Sequence, residues 1–401
     1  MTAPSDTVAM TGVVLKNPSL LRVRPAVNLF LIQYLRKFRL QRVGDQLIVH
    51  SHLPPLTSEA YSRFVREHLV AQVDGPSHAQ IAVTNDCPQH CAYCYNRHRN
   101  GEPLDVPTIL DLIDELKDMG VVWLGLTGGE PLLNQQLPEI VARASDDCAV
   151  KLFTTGCGLT DGVAGELAAA GLFSVAVSLD HWDAAVHDRG RGYRGAFQAA
   201  MDALEVAKRV PGLHVSVSSV VTRQMIAAGD VLRLLAFLET LGVHEAWLSE
   251  AKPSVEALWH DELVVTEDER RALCAFQDDY NRRGGGMTLN YLGHFEGAEM
   301  FGCNAGCKML YIDPFGEVSP CVFMPMSFGN VRERPLWEIY EDMRRQFPSE
   351  DRCFLNKNFG AFAALGAHEL PLDRGTSSDV LSRVSFGPLA DFNRLLRRRD
   401  Q

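Results

Sequence analysis

HAQIAVTNDCPQHCAYCYN (78–96) runs from an alternating, β-branched strand directly into three cysteines spaced Cys-x3-Cys-x2-Cys: Cys87, Cys91 and Cys94. From there the chain repeats one rhythm. Strands are predicted at VVWLGLT (121–127), AVKLFTT (149–155), FSVAVSLD (173–180), HVSVSSVVT (214–222) and HEAWLSE (244–250), and helices at 107–120, 135–145, 160–171, 194–209, 230–241 and 266–282. Six strands, each followed by a helix, require a parallel sheet with right-handed crossovers. Six units fall short of the eight of a closed barrel, so the expected α/β fold is a partial (β/α)6 parallel barrel. Its site belongs at the C-terminal ends of the strands, the rim where the three cysteines stand.

The remaining composition narrows the class. The chain has 401 residues, 46% hydrophobic and 22% charged, the balance of a globular protein rather than a disordered or fibrous one. The longest apolar run, Val27 to Leu35, is broken by Asn28 and Gln33, so no membrane span is expected. The start, MTAPSDTVAM, lacks the basic and apolar stretches of a secretory signal, which predicts a cytoplasmic protein with reduced thiols. A net charge of −11 argues against nucleic acid as a partner. Ten cysteines are too few for a disulfide scaffold. Besides the first three they comprise Cys303, Cys307, Cys321 and Cys353, with Cys148, Cys157 and Cys274 isolated and read as core residues.

Three thiolates within eight residues suit a soft metal but leave a fourth position open. Zinc completed by His90 or His98, in a non-catalytic interaction protein, is one reading; a [4Fe–4S] cluster with an open iron is the other. The spacing after the first strand resembles the defining motif of the radical S-adenosylmethionine (SAM) superfamily, a likeness extending over residues 78–282. The resemblance implies that SAM chelates the open iron. One electron, from a flavodoxin or ferredoxin type of donor, then cleaves it to methionine and a 5′-deoxyadenosyl radical that abstracts a substrate hydrogen. Tyr93 matches the aromatic position that lies against the adenine. LTGGEPLLN (126–134) resembles the SAM-amine motif: Gly128 and Gly129 expose backbone groups, and Glu130 offers a carboxylate to an ammonium. Ser178 and Asp180 occupy positions near the ribose, and FTTG (153–156) has Thr155 where the family usually has Asn. HDRGRGYRG (187–195) reads as a basic rim loop whose Arg189, Arg191 or Arg194 could clamp a carboxylate.

FGCNAGCKMLYIDPFGEVSPCVF (301–323) predicts two short strands about the turn DPFGE, followed by the helix PLWEIYEDM. The spacing Cys303-x12-Gly316-x4-Cys321 resembles the SPASM or twitch extension of radical SAM enzymes. A full SPASM domain has seven cysteines; four here leave room for one auxiliary [4Fe–4S] cluster. Cys303, Cys321 and Cys353 match the twitch pattern, while Cys307 is either the fourth ligand or a bystander that leaves an iron open to substrate. Zinc remains the alternative metal.

The expected domains are an N-terminal extension (1–75), the radical SAM core (76–283), an auxiliary-cluster domain (284–358) beginning at a flexible GGG joint (284–286), and a tail (359–401). The extension is basic: between Met1 and Asp45 stand Lys16, Arg22, Arg24, Arg36, Lys37, Arg39 and Arg42 against Asp6 and Asp45. AVNLFLIQYLRKF (26–38) is either a helix packed on the barrel or an interfacial one making peripheral membrane contact. The substrate expected is a peptide or protein side chain, with a small molecule such as a sugar or lipid as the alternative.

Overall fold

The computed structural model describes residues 12–366 and 368–397. The N-terminal extension contributes α1 (Pro25–Leu35), the hairpin β1 (Gln41–Val43) and β2 (Gln46–Ile48), and α2 (Glu59–Phe64), which continues with wider turns over Val65–Ala71. The core follows as β3 (His78–Ala82), α3 (Val106–Asp118), β4 (Trp123–Thr127), α4 (Leu137–Ser145), β5 (Ala149–Thr154), α5 (Asp161–Ala169) and β6 (Ser174–Ser178). Next come α6 (Ala184–Arg191), α7 (Ala196–Lys208), β7 (His214–Val221), α8 (Arg223–Ala228), α9 (Asp230–Thr240), β8 (Glu245–Glu250) and α10 (Glu267–Arg283). The helices form for local reasons the sequence displays. In α3, for example, Asp105 caps the first turn by accepting from the Thr108 amide at 3.0 Å. Ile109, Leu112, Ile113 and Leu116 fall on one buried face.

The sheet is larger than six strands. TLNY, four residues after Gly284, forms β9 (Thr288–Tyr291), parallel to β8, and runs into the short α11 (Leu292–Phe295). The auxiliary segment adds β10 (Met309–Ile312), parallel to β3, and its antiparallel partner β11 (Val318–Ser319). The order is β11-β10-β3-β4-β5-β6-β7-β8-β9. The GGG stretch therefore links a helix to a strand of the same sheet, and the auxiliary hairpin is an edge of the barrel. A four-residue strand of TLNY shows too little alternation to be told from a loop.

The sheet curves strongly. The His52 ring lies 3.6 Å from the Trp247 ring of β8 and 4.9 Å from the Trp123 ring of β4, yet four strand spacings of about 4.8 Å would separate β4 from β8 in a flat sheet. Residues 50–52 thus plug one end of a partial barrel. Glu245 accepts from the Ser51 amide at 2.7 Å and hydroxyl at 3.0 Å, Lys151 donates to Ser51 Oγ at 2.5 Å, and the Trp123 indole donates to Ser51 O at 2.8 Å.

Beyond the sheet lie α12 (Leu336–Gln346), α13 (Phe354–Ala363), α14 (Arg374–Ser382) and α15 (Asp391–Leu396). A second core joins the extension (Val23, Val27, Tyr34, Leu56, Tyr61) to Met300 and to Phe392 of α15, so the tail packs back onto the N-terminal helices. The RLLRRRDQ end beyond Arg397 lies outside the described residues. No helix among them is long and apolar enough to cross a membrane.

Candidate active site

A cavity of about 560 Å³ runs inside the curved sheet from His50 and His52 to the C-terminal ends of the strands. Cys87, Cys91 and Cys94 border it, with Tyr93, Gly128, Gly129, Ser178 and Arg191; so do Cys303, Cys321 and Cys353. The two cysteine sets, some two hundred residues apart in sequence, face one volume because β10 seats the auxiliary segment beside β3.

The first cysteine loop is held by β4. The Gly129 amide donates to Thr84 O at 2.8 Å and the Glu130 amide to Asp86 O at 2.6 Å. A Cβ at Gly128 would lie 2.2 Å from Thr84 O, and one at Gly129 2.2 Å from Asp86 O, so only glycines permit this approach. The Gly129 and Glu130 amides serve the cysteine loop rather than standing free at the rim.

Glu130, expected to offer its carboxylate to an ammonium, is instead fully buried and absent from the cavity wall. It accepts from the amides of Leu132 (3.0 Å) and Thr155 (2.6 Å) and from the hydroxyls of Thr154 (2.6 Å) and Thr155. Burial raises its pKa while these four donors favour the charged form. With both oxygens occupied it ties the β4 turn to the β5 turn. Thr155, a departure from the family pattern, supplies half of that knot.

Asp180 is likewise engaged. Its Oδ2 pairs with Arg191 Nε at 2.8 Å and accepts from the Tyr93 hydroxyl, and its Oδ1 accepts from the Val220 amide at 2.8 Å. Of the three rim arginines only Arg191 is buried: the stretch expected as a loop forms α6, which turns Arg189 outward and carries Arg191 in. Its guanidinium lies 5.8 Å over the Tyr93 ring, with Nη1 4.0 Å from Cys91 Sγ. Burial opposes that charge, but Asp180, Tyr93 and Cys91 together raise its pKa.

The thiols suit iron. Burial pushes Cys87 up to about 12, and the neighbouring Cys91 and Cys94 add to the rise, so a bound cation would relieve a crowded set of thiolates. The Gln89 amide points at Cys87 Sγ at 3.4 Å. Among the described residues no three His, Cys, Asp or Glu side chains converge closely enough to hold a single metal ion. Thiolates that bind different irons of one cluster do not need to. His90 borders the cavity, while His98 does not.

In the auxiliary set, Cys303 and Cys321 are pushed up to about 12 by burial and by neighbouring thiols, and backbone amides of Ala305 and Phe354 lie against Cys303. Cys307, carried as a ligand candidate, stands apart: it is not on the cavity wall, and its thiol donates to Phe347 O at 3.7 Å. The turn after Cys303 is what separates them: Asn304 O accepts from the Cys307 amide at 3.1 Å, and Gly306 takes a positive φ of 69°.

A charged group at the end of β8 was not anticipated. Lys252 Nζ lies 2.7 Å from Glu250 Oε1 and 2.5 Å from Glu296 Oε2, all three bordering the cavity beside Cys353. Burial disfavours the ammonium, but Cys353, Glu250 and Glu296 hold its pKa well above the usual value. EAKPS (250–254) at a strand's C-terminal end was the available signal.

Comparison with known proteins agrees with this geometry. The profile of the Radical SAM superfamily matches residues 81–224, and that of the SPASM iron–sulfur cluster-binding domain matches 303–358. The mycofactocin maturase MftC of Mycolicibacterium smegmatis is 31% identical over 329 residues, covering 75% of this chain and 82% of that protein. The AdoMet-dependent heme synthase of Methanosarcina barkeri is 27% identical (68% and 84% covered), and the PqqA peptide cyclase of Granulibacter bethesdensis 24% (68% and 75%). Among solved structures, Streptococcus suis SuiB bound to the precursor peptide SuiA superposes with a TM-score of 0.54 at 17% identity, covering 70% of this chain and 69% of that one.

Proposed function

The chain belongs to the radical SAM superfamily, in the branch with a C-terminal iron–sulfur domain, and is an enzyme; we propose that it abstracts a hydrogen from a peptide side chain. One observation carries the reading: Cys87, Cys91 and Cys94 and the auxiliary trio Cys303, Cys321 and Cys353 border the same cavity. A substrate bound there would touch both sites at once. A [4Fe–4S] cluster on the first trio, with SAM, supplies the reductive cleavage that yields a hydrogen-abstracting 5′-deoxyadenosyl group.

The chain's own residues do the rest. Cys87, Cys91 and Cys94 hold the cluster, and Gly128, Gly129 and Ser178 wall the space left for SAM. The Tyr93 ring, fixed by Asp180 and Arg191, presents a flat face to a purine, and the Arg191 cation stands ready for a carboxylate. Cys303, Cys321 and Cys353 hold one auxiliary cluster, and Cys307 is outside its ligand set. Lys252, paired with Glu250 and Glu296, offers a polar anchor beside Cys353. Burial in a walled cavity shields the reaction from water.

Peptide substrates are favoured because relatives include a peptide cyclase and a maturase. The cavity favours a second reading, an apolar small molecule: Leu31, Leu35, Phe301, Phe392 and Leu396 form one continuous apolar side.

Anaerobically reconstituted protein should release 5′-deoxyadenosine from SAM and reductant, and the Cys87→Ala/Cys91→Ala/Cys94→Ala variant should not. Deuterated cell extract, split into peptide and lipid pools, identifies the substrate class by which pool delivers deuterium to 5′-deoxyadenosine. Persistent cleavage by the triple variant would sink the assignment of the site.

A further inference from the structure

Ten large apolar side chains are exposed among the described residues, and five of them fall between residues 14 and 32: Val14, Leu15, Leu21, Leu29 and Ile32. Leu29, Ile32 and Arg36 recur at i, i+3 and i+7 along the outer face of α1, whose inner face buries Val27 and Tyr34 and sets Leu31 and Leu35 on the cavity wall. The turn carrying Leu21 is held to this helix by the Asn28 amide, which donates to Leu20 O at 2.9 Å.

The same surface is basic in an acidic protein. Lys16, Arg22 and Arg36 are exposed and have no carboxylate partner among the described residues. Arg24 donates to the carbonyls of Leu395 (2.8 Å) and Arg397 (2.9 Å), which brings Arg397 to the same place. Rings of α1 and α15 pack directly, Phe30 against Phe392 at 5.3 Å.

We propose that this face, α1 with its preceding turn and the end of α15, docks the enzyme on an anionic lipid bilayer. Two features select a bilayer over an acidic peptide. Leu15 and Leu21 are 77% and 79% exposed, so they protrude; a peptide partner needs a walled groove, whereas lipid takes up protruding apolar side chains between basic ones. The helices that carry the patch also supply Leu31, Leu35, Phe392 and Leu396 to the apolar side of the cavity. Docking therefore sets that side next to the phase in which an apolar substrate, or a peptide's apolar segment, concentrates. Docking itself does not depend on the chemistry; the delivery of substrate rests on the function proposed above.

The full chain, cluster-reconstituted, is floated with vesicles of phosphatidylcholine alone or with about one third phosphatidylglycerol. Anionic vesicles should carry the protein up, neutral ones should not, and raised salt should release it. Arg22→Glu/Arg36→Glu should weaken partition by about fivefold or more per charge removed. Leu15→Glu/Leu21→Glu/Leu29→Glu should abolish it, with melting temperature and SAM cleavage unchanged. If the leucine variant unfolds, the charge variant and the salt series decide. Equal binding to both vesicle types, no binding at low salt, or capture only by a synthetic Glu-rich amphipathic peptide would overturn the proposal. Loss of SAM cleavage with intact flotation would count against the chemistry alone.

Discussion

Thr155 donates both its backbone amide, at 2.6 Å, and its side-chain hydroxyl to Glu130 Oε2. The carboxylate is thus a structural acceptor under the β4 turn. Glu130→Gln puts an amide NH2 against donors and should cost about 1.5–3 kcal/mol of stability, since a buried bond to a charged group is lost. Thr155→Ala, which removes one hydroxyl, should cost about 1 kcal/mol. Thermal or urea melts check both. A Glu130→Gln protein of unchanged stability but weakened SAM affinity would return the carboxylate to direct ligand binding.

Lys252 stands between the buried carboxylate of Glu250 and the half-buried one of Glu296, and its removal strands both. Lys252→Met should destabilise the protein by about 3–5 kcal/mol, and adding Glu250→Gln should recover part of that loss. Denaturant titration of the parent, each single variant and the double variant measures the coupling. Additive losses would mean that the three side chains do not act as one group.

Cys307 faces Phe347 O and the other three auxiliary cysteines face the cavity. Cys307→Ala, made in the Cys87/Cys91/Cys94 triple-alanine background, should retain its auxiliary iron and spectrum, whereas Cys303→Ala in that background should lose them. Iron analysis with EPR or Mössbauer spectra distinguishes the two. Loss of iron on Cys307→Ala would make it the fourth ligand.

Burial lowers the pKa of His50 to about 3 and of His68 and His187 to about 4. Between those values and the ordinary 6.5 the unfolded chain binds protons that the folded one refuses, so stability falls as pH drops below about 6.5. Each such histidine contributes a slope approaching about 1.4 kcal/mol per pH unit. His68→Gln, which can keep a bond to Gly120 O, should flatten the decline by about one such step between pH 6 and 5. A melting temperature flat from pH 7 to 5 would contradict the buried neutral state of these rings.

The sequence by itself determined the barrel's rhythm and the place of its chemistry. Strand and helix periods from β3 to α10 are local properties, and Cys-x3-Cys-x2-Cys after a strand keeps its meaning wherever that strand sits. Tertiary structure decided what depends on distant partners. β9 is a four-residue strand, too short to carry a pattern of its own, and β10, legible as a short strand, takes its place only because β3 offers it an unpaired edge. Glu130 and Asp180 look like ligand carboxylates in sequence. Only the fold shows their oxygens already taken by Thr154, Thr155, Tyr93 and Arg191, because contacts across 11 to 87 residues leave no trace in spacing. Cys307, four positions from Cys303, falls outside the twitch pattern in sequence, but whether it joins the other three is decided by the intervening turn, which sends the two thiols in different directions.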